Sequence, residues 1–388
     1  MQINSDYILI DDKKSFELSM FNLGNSECIA IDTESSGYYT YYPRVCLIQV
    51  TSNGKNYIFD PMSPINLSEL GTIFKNPSIL KIFHSAIDDI KALKRDFYFE
   101  FCNIADTMYS SKLIGHEHNS LEYLVEYYHN TKLSKTEQKS NWERRPLDRQ
   151  QLKYAALDTA YLETIWAEIK KSLIRYNMLD EAMSEFERFT LDPYKKLEES
   201  KAIPWHKFPN ILNYSPEVRR NIFDILSFRE EKAKKANKAP FRIFNNETIE
   251  KIVKEGGSLE YLIGIFGKKD AEKLYHAIKH PSGSPLNKAD IPKQDYDLDD
   301  EEKSLYKNLR KWREKVMKIR KMDHTMILSN KNLVTLIKSS PKNLDELREL
   351  SMMSEWKIRN YGPTLVKIIA KEPYEDTIRE LPQVPQVI

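Results

Sequence analysis

Asp32 and Glu34 close the run Cys28-Ile29-Ala30-Ile31-Asp32-Thr33-Glu34, where apolar residues give way to two acids two positions apart. In a strand, side chains at i and i+2 leave the same face, so this pair projects together from the end of a buried strand. Tyr154 and Asp158 stand four apart in Tyr154-Ala155-Ala156-Leu157-Asp158, inside a long helical pattern. A helix sets them on one side, a turn apart. Asp89, in His84-Ser85-Ala86-Ile87-Asp88-Asp89, completes the set. Four carboxylates without His or Cys suit hard cations such as Mg2+ or Mn2+. They suffice for two ions, and two ions about 4 Å apart clamp the attacking and leaving oxygens of a phosphoryl transfer. Asp32, at the centre of the sheet, is the natural bridging ligand, and Tyr154 is placed to orient the attacking water. Taken singly, each pattern has a plainer reading: a strand end entering solvent, a solvated Tyr–Asp pair, or two acids complementing a helix N-terminus.

The elements that must position these groups follow from periodicity. Strands are predicted at Tyr7 to Ile10, Cys28 to Glu34, Arg44 to Thr51, Asn56 to Phe59 and Ile79 to Phe83. Ser52-Asn53-Gly54-Lys55 is turn chemistry and joins the third and fourth as a hairpin. The helix after His84-Ser85 carries Ala86, Ile87, Ile90 and Leu93 as its apolar stripe. That stripe is centred about 90° from Asp89 and nearly opposite Asp88, so Asp88 points to water and Asp89 to the shoulder of the buried face. Asp106 and Ser120 read as N-caps. A single helix is predicted from Asp148 or Arg149 to about Tyr176, buried through Leu152, Ala155, Ala156, Thr159, Leu162, Trp166 and Ile169.

Composition narrows the class. The chain has 388 residues, 41% hydrophobic and 30% charged, with 59 basic against 57 acidic residues. That length exceeds a single core and predicts two or three domains. The near-zero balance selects no partner, so local charge must. Three scattered cysteines, Cys28, Cys46 and Cys102, read as reduced thiols of a cytoplasmic protein. No Cys/His spacing suggests zinc, and no apolar run approaches the ~18 residues of a membrane span.

The three acidic stretches together resemble the exonuclease motifs of the DEDD superfamily, tyrosine subgroup. Asp106-Thr107 through Leu113, Ser134-Lys135-Thr136-Glu137-Gln138-Lys139-Ser140-Asn141-Trp142, Arg145-Pro146-Leu147 and Tyr41-Tyr42-Pro43 are similar to ribonuclease D, in order, over about residues 5 to 200. The resemblance implies an α/β ribonuclease-H-like domain with a mixed five-stranded sheet and flanking helices. It implies two divalent cations, and 3′ to 5′ release of nucleoside 5′-monophosphates from RNA, with the 3′ ends of precursor tRNA or other structured RNA as substrate. It also brings in His84, Trp142 and Arg145 as substrate contacts, Trp142 and Arg145 by stacking on and pairing with the terminal nucleotide. A satisfied strand-end His and a folded loop anchor are the alternatives for these three. In one departure, Ser35 follows the motif Glu where many relatives carry a bulky apolar residue. Tyr38 or Tyr39 is a candidate substitute. Action on DNA, and a non-catalytic nucleic-acid-binding scaffold, are the competing functions. The presence of all four acids and Tyr154 weighs against the second.

The second half of the chain repeats. Phe228-Arg229-Glu230 matches Trp312-Arg313-Glu314, and Ile243-Phe244-Asn245-Asn246 matches Ile327-Leu328-Ser329-Asn330, at a constant offset of 84 residues (228 to 312, 246 to 330). Both copies resemble the helicase-and-RNase-D C-terminal (HRDC) domain, a small all-α bundle that binds nucleic acid, the first more closely. The predicted division is an exonuclease domain over 1–200, a linker over 201–215, HRDC domains over 216–281 and 299–373 around a linker at 282–298, and a tail at 374–388. Basic stretches at equivalent places, Lys234, Lys235, Lys238 and Arg242 in one copy and Lys311, Lys315 and Lys318 in the other, are candidate phosphate contacts. A monomer acting on RNA, away from membranes, is the expected form.

Overall fold

The computed structural model describes residues 5–191, 203–281, 283–291, 298–374 and 381–384. The chain begins β1 (Tyr7–Ile10), α1 (Lys13–Gly24), β2 (Cys28–Ser35), β3 (Val45–Ser52), β4 (Lys55–Phe59), α2 (Leu70–Phe74), β5 (Leu80–Phe83) and α3 (Ala86–Phe97). It continues through β6 (Ile104–Asp106), α4 (Thr107–Leu113), α5 (Leu121–His129), α6 (Arg149–Ala160), α7 (Leu162–Arg175) and α8 (Leu179–Leu191). The strands form one mixed sheet in the order β1-β4-β3-β2-β5-β6. β3 is antiparallel to β2 and β4; β1 pairs β4, β2 pairs β5 and β5 pairs β6 in parallel. The hairpin closes as expected, Ser52 opposite Lys55, with Asn53 and Gly54 both at positive φ.

Two expectations need correction. The sheet has six strands among the described residues, not five: β6 is three residues long, too short for alternation to register, and its last residue doubles as the cap of α4. Nor is there one helix from 149 to 176. It breaks at Tyr161 (φ −98, ψ −13) into α6 and α7. There Thr164 Oγ1 donates to the Tyr161 carbonyl at 2.9 Å, and Thr159 Oγ1 turns to Thr51 Oγ1 at 2.6 Å. Threonine hydroxyls that bond back onto helical carbonyls bend the axis.

The helical second half comprises α9 (Pro216–Ala236), α10 (Pro240–Ile243), α11 (Asn246–Lys254), α12 (Leu259–Phe266) and α13 (Lys268–Lys279), then α14 (Asp300–Arg320), α15 (His324–Ile327), α16 (Asn330–Ser339), α17 (Leu344–Glu349) and α18 (Glu355–Ile369). The repeat is built into its hydrogen bonds. Arg229 Nη1 donates to Phe244 O (3.2 Å) and Asn246 Oδ1 (3.0 Å); Arg313 donates to Leu328 O (2.6 Å) and Asn330 Oδ1 (2.8 Å). Ile249, Ile252, Leu333 and Leu336 are all buried. These arginines tie the short second helix of each copy to its long first helix.

Spatial units do not follow chain order. Ser36–Arg44 belongs with the first helical copy, and the second copy from Leu298 onward belongs with the α/β domain. The proposed boundary at residue 200, and residues 282 and 292–297 of the 282–298 linker, lie outside the described residues. Within 201–215, Trp205, Phe208 and Ile211 are buried against α9, so this stretch is part of a core. In the larger unit, α8 meets the end of α14 and the helix α18 through charge. Arg320, 0% exposed, donates to both carboxylate oxygens of Glu181 (2.8 and 2.5 Å) and to Tyr361 Oη (2.5 Å). Lys357 Nζ lies 3.1 Å from Glu185 Oε1, and Arg359 Nη2 lies 2.7 Å from Asp180 Oδ2. Part of the C-terminal stretch returns here as well, Val384 N donating to Arg320 O at 3.0 Å.

Candidate active site

β2 is buried through Ile29, Ala30 and Ile31, because it lies inside the sheet with helices on both sides. Its neighbour β5 pairs only with Cys28, Ile29 and Ala30. Asp32, Thr33 and Glu34 therefore run past the end of β5, leaving one strand edge open. A bulge between Glu34 and Ser35 precedes the last pair of the ladder to β3, Ser35 opposite Val45, and turns the chain at this point. Helix α6, capped by a reciprocal Asp148–Gln151 box, packs Leu152, Ala155 and Ala156 on the outer half of the sheet and presents Tyr154 and Asp158.

One oxygen each of Asp32, Glu34 and Asp158 lie within 4.8 Å of one another. Asp89 stands beside this group and is held differently: its Oδ1 accepts from Thr33 Oγ1 at 2.5 Å. Asp88, on the same turn of α3, is exposed. Burial and mutual repulsion set the protonation of the cluster. Burial pushes Asp32 up to about 6. Burial, then the charges of Asp32, Asp158 and Asp89, hold Glu34 well above the usual carboxylate range. Asp89 and Asp158 are raised by burial and by Asp32. No lysine or arginine is among the groups that set these four values. Acids so placed lack compensation until a cation enters. The donor set, all carboxylate oxygen and partly solvent-accessible, fits a hard divalent ion.

Tyr154 is half-buried, and its phenol is raised far above its ordinary value by burial and then by Asp158, Glu34 and Asp32. It stays a neutral hydroxyl at working pH. Trp142 packs on it, ring centroids 6.2 Å apart. A recess of about 160 Å³ opens beside Tyr154 and Asp158, lined in part by Ser134, Gln150 and Lys153.

The structure corrects the expected substrate contacts at Trp142 and Arg145. Trp142 is 2% exposed, within the cluster of Cys46, Leu47, Ile58 and Leu152, so its ring cannot meet a nucleotide. Arg145 forms a two-pronged ion pair with Asp60 (2.6 and 2.7 Å) and donates to Trp142 O and Cys46 O. These contacts take up its guanidinium as the pin of the loop before α6. His84 Nδ1 lies 2.9 Å from Thr107 Oγ1. That hydroxyl donates to Phe83 O at 3.1 Å, so it accepts from the imidazole, and burial keeps His84 below its ordinary pKa. Of the basic residues, Lys235, Lys238, Lys311, Lys315 and Lys318 are exposed. Lys234 lies over the Tyr41 ring at 5.7 Å, and Arg242 over Tyr39 at 3.6 Å.

Sequence reasoning missed several supports. Asp106 caps α4 through Tyr109 N (2.9 Å) and also accepts from Ser85 N (3.2 Å) and Ala86 N (2.8 Å). It thus sets the start of α3 and with it Asp89. Its cap signature was legible; its second duty depends on strand pairing. Thr33, lying between the two acids, gave no signal of its own. Asp60, remote in sequence from Arg145, gave none either.

Comparison with known proteins agrees with this arrangement. Residues 7–174 match the family described as 3′-5′ exonuclease, and residues 302–369 match the HRDC domain. The chain thus carries a DEDD 3′-5′ exonuclease domain and an HRDC domain. Dependence on divalent metal is a property of that family. The HRDC match falls on the second helical copy, where His324-Thr325 stands in place of the first copy's Pro240-Phe241, contrary to the expectation that the first copy is the closer. Exosome complex exonuclease RRP6 of Saccharomyces cerevisiae is 31% identical over 260 residues, 63% of this chain and 36% of that protein. Ribonuclease D of Zymomonas mobilis is 29% identical over 247 residues, 62% of each chain. The chain thus spans about a third of the yeast relative and about three-fifths of the bacterial one. In fold it resembles Escherichia coli RNase D (TM-score 0.61, 20% identity, 95% of this chain and 100% of that one). It also resembles a Bifidobacterium adolescentis protein (TM-score 0.72, 18% identity, 93% and 96%). No described helix is long and apolar enough to cross a membrane.

Proposed function

We propose that the protein is a metal-dependent exoribonuclease that trims the 3′ ends of structured RNA, precursor tRNA among them, releasing nucleoside 5′-monophosphates. The observation that carries this is the convergence of Asp32, Glu34 and Asp158 at the open end of β2, partly buried and, among the described residues, with no cation among the groups that set their protonation. Asp32, Glu34, Asp89 and Asp158 would hold two ions, Mg2+ or Mn2+. When bound, these supply charge neutralisation at the scissile phosphate and a water of lowered pKa.

The remaining work falls to the chain's own groups. Tyr154, kept neutral by the surrounding acids, holds the attacking water by a hydrogen bond that a phenolate could not donate. Trp142 fixes the ring of Tyr154 and so acts as a positioning residue. Lys153, at the rim of the recess beside Asp158, is available to the phosphate. Lys311, Lys315 and Lys318 share one exposed face of α14, spaced by four and three residues, and would take RNA phosphates farther from the cut.

The yeast relative is named as an exosome complex exonuclease; here the four acids and Tyr154 all come from one chain, and the protein acts as a monomer. Digestion of a uniformly labelled structured RNA, with matched DNA alongside, tests the proposal. Mononucleotides appear from RNA with Mg2+ or Mn2+ and not with chelator. Equal cutting of DNA removes the RNA assignment, and no release with either metal removes the enzyme.

A further inference from the structure

Three large rings on the smaller unit are left outside any core. Tyr38, Tyr42 and Phe241 are 41%, 48% and 47% exposed. They are gathered rather than scattered: Tyr38 lies 5.2 Å from Phe241 and 5.5 Å from Tyr39, and Tyr42 lies 4.9 Å from Tyr41. Hydrogen bonds fasten them between Ser36–Arg44 and the corner where α9 turns into α10. Ala239 N donates to Tyr39 O (2.9 Å) and Tyr42 N to Asn237 Oδ1 (3.0 Å). Arg242 Nε donates to Tyr38 O (2.8 Å) and Tyr41 Oη to Glu230 Oε1 (2.5 Å). Isolated exposed rings need no explanation, but a fastened group of them marks a binding surface.

The charges around the rings indicate the occupant. The Arg242 guanidinium lies 3.6 Å from the centre of the Tyr39 ring and 4.8 Å from that of Tyr38. Lys234 sits over Tyr41, and Lys235 and Lys238 are exposed. Lys234 and Lys235 also complement the carboxyl end of α9. Lys238 and Arg242 lie beyond that end, so the helix dipole does not account for them. Flat apolar faces interleaved with positive charge match a chain of flat bases joined by phosphates. Sequence tolerance follows, because every base offers a π-face.

We propose that Tyr38, Tyr42 and Phe241, with Lys235, Lys238 and Arg242, form a stacking platform for an unpaired stretch of RNA. The inference rests on the exoribonuclease reading and extends it: the single-stranded part of the substrate is what the first helical copy holds. The rings are already ordered by main-chain hydrogen bonds, so little further entropy is lost when bases stack.

Binding without cleavage tests this. Fluorescence anisotropy follows the full chain, in chelator, against a labelled oligouridylate of roughly 12 nucleotides and a blunt RNA duplex. Tyr38→Ala with Phe241→Ala weakens the oligouridylate about tenfold per ring and moves the duplex less than about twofold. The salt dependence of the remaining binding keeps its slope, because no charge is lost. Lys238→Gln lowers that slope by about one. Tyr38→Phe and Phe241→Tyr, which keep the rings, keep native affinity. Should the double variant fail to fold, Tyr42→Ala carries the expectation for one ring. Native affinity in the alanine variants overturns the platform, and is the result a protein-docking surface would give. Equal loss in the ring-preserving variants overturns it as well. Mononucleotide release by the native chain with Mg2+ is read separately, so failure of the nuclease reading leaves the binding result interpretable.

Discussion

Two groups of acids in the larger unit are opposites. At the end of β2, the partly buried Asp32, Glu34 and Asp158 face one another with Asp89 beside them; burial raises all four, and like charge adds to it at Glu34, Asp89 and Asp158. On α8, Glu181 and Glu185 are more deeply buried, yet each meets a cation from the second helical copy: Arg320 at 2.5 Å and Lys357 at 3.1 Å. The Lys357 and Arg188 charges outweigh burial at Glu185 and hold it down to about 2. All are carboxylates taken out of water; the partner is what differs. Acids with built-in partners join helices. Acids without them wait for an ion.

The sharpest way to break this comparison is to neutralise one acid on each side. Asp32→Asn or Asp158→Asn is expected to abolish metal-dependent mononucleotide release, on the order of a thousandfold or more. In chelator, the same variants melt higher than the parent, because a repelled charge has gone. A lower melting temperature there would place these acids with Glu181 as satisfied structural groups. Removing the cation on the other side has the reverse effect. Arg320→Met leaves Glu181 buried and alone and costs about 3–5 kcal/mol, read from urea unfolding. Adding Glu181→Leu recovers most of that loss if charge pairing, and not packing alone, holds α8 to the end of α14.

A smaller effect separates holding a metal from orienting water. Tyr154→Phe keeps the ring and the acids, so turnover falls by roughly ten- to a hundredfold while KM stays near native. Unchanged turnover would end the water-orienting role. Trp142→Leu loosens the Tyr154 ring and lowers turnover in the same direction but less, and Trp142→Phe restores part of it. Equal effects on KM and turnover would assign Trp142 to folding instead.

The gentlest probe is pH. A folded value near 6 for Asp32, above its unfolded 3.8, means the folded state holds its proton longer. Metal-free protein therefore loses stability as pH rises from about 4 through 6, and Asp32→Asn gains over the parent only above that window. A folded value near 2 for Glu185, below its unfolded 4.5, gives the opposite slope. Its contribution is full above 4.5 and is lost as pH falls toward 2, so Glu185→Gln destabilises at neutral pH and little in strong acid. Differential melting across pH checks both, and parallel slopes would erase the distinction between the two regions.

Much of this was legible from residue order. The β2 run ending in Asp32 and Glu34, the Asn53-Gly54 hairpin, the exposure of Asp88 against Asp89, the start of α6 and the 84-residue repeat all follow from periodicity and turn chemistry. These are local properties, set within a few residues by dihedral preference and the side on which apolar groups fall. Tertiary structure decided the rest. That Asp89 bonds to Thr33, that Asp106 caps two helices, that Arg145 spends itself on Asp60, and that Trp142 is buried against Tyr154 depend on strand order and on contacts between segments far apart in the chain. So does the most consequential difference, whether a buried acid meets a cation. Asp32 and Glu181 look alike in sequence, and only packing determines that Arg320 reaches one of them and leaves the other for an ion.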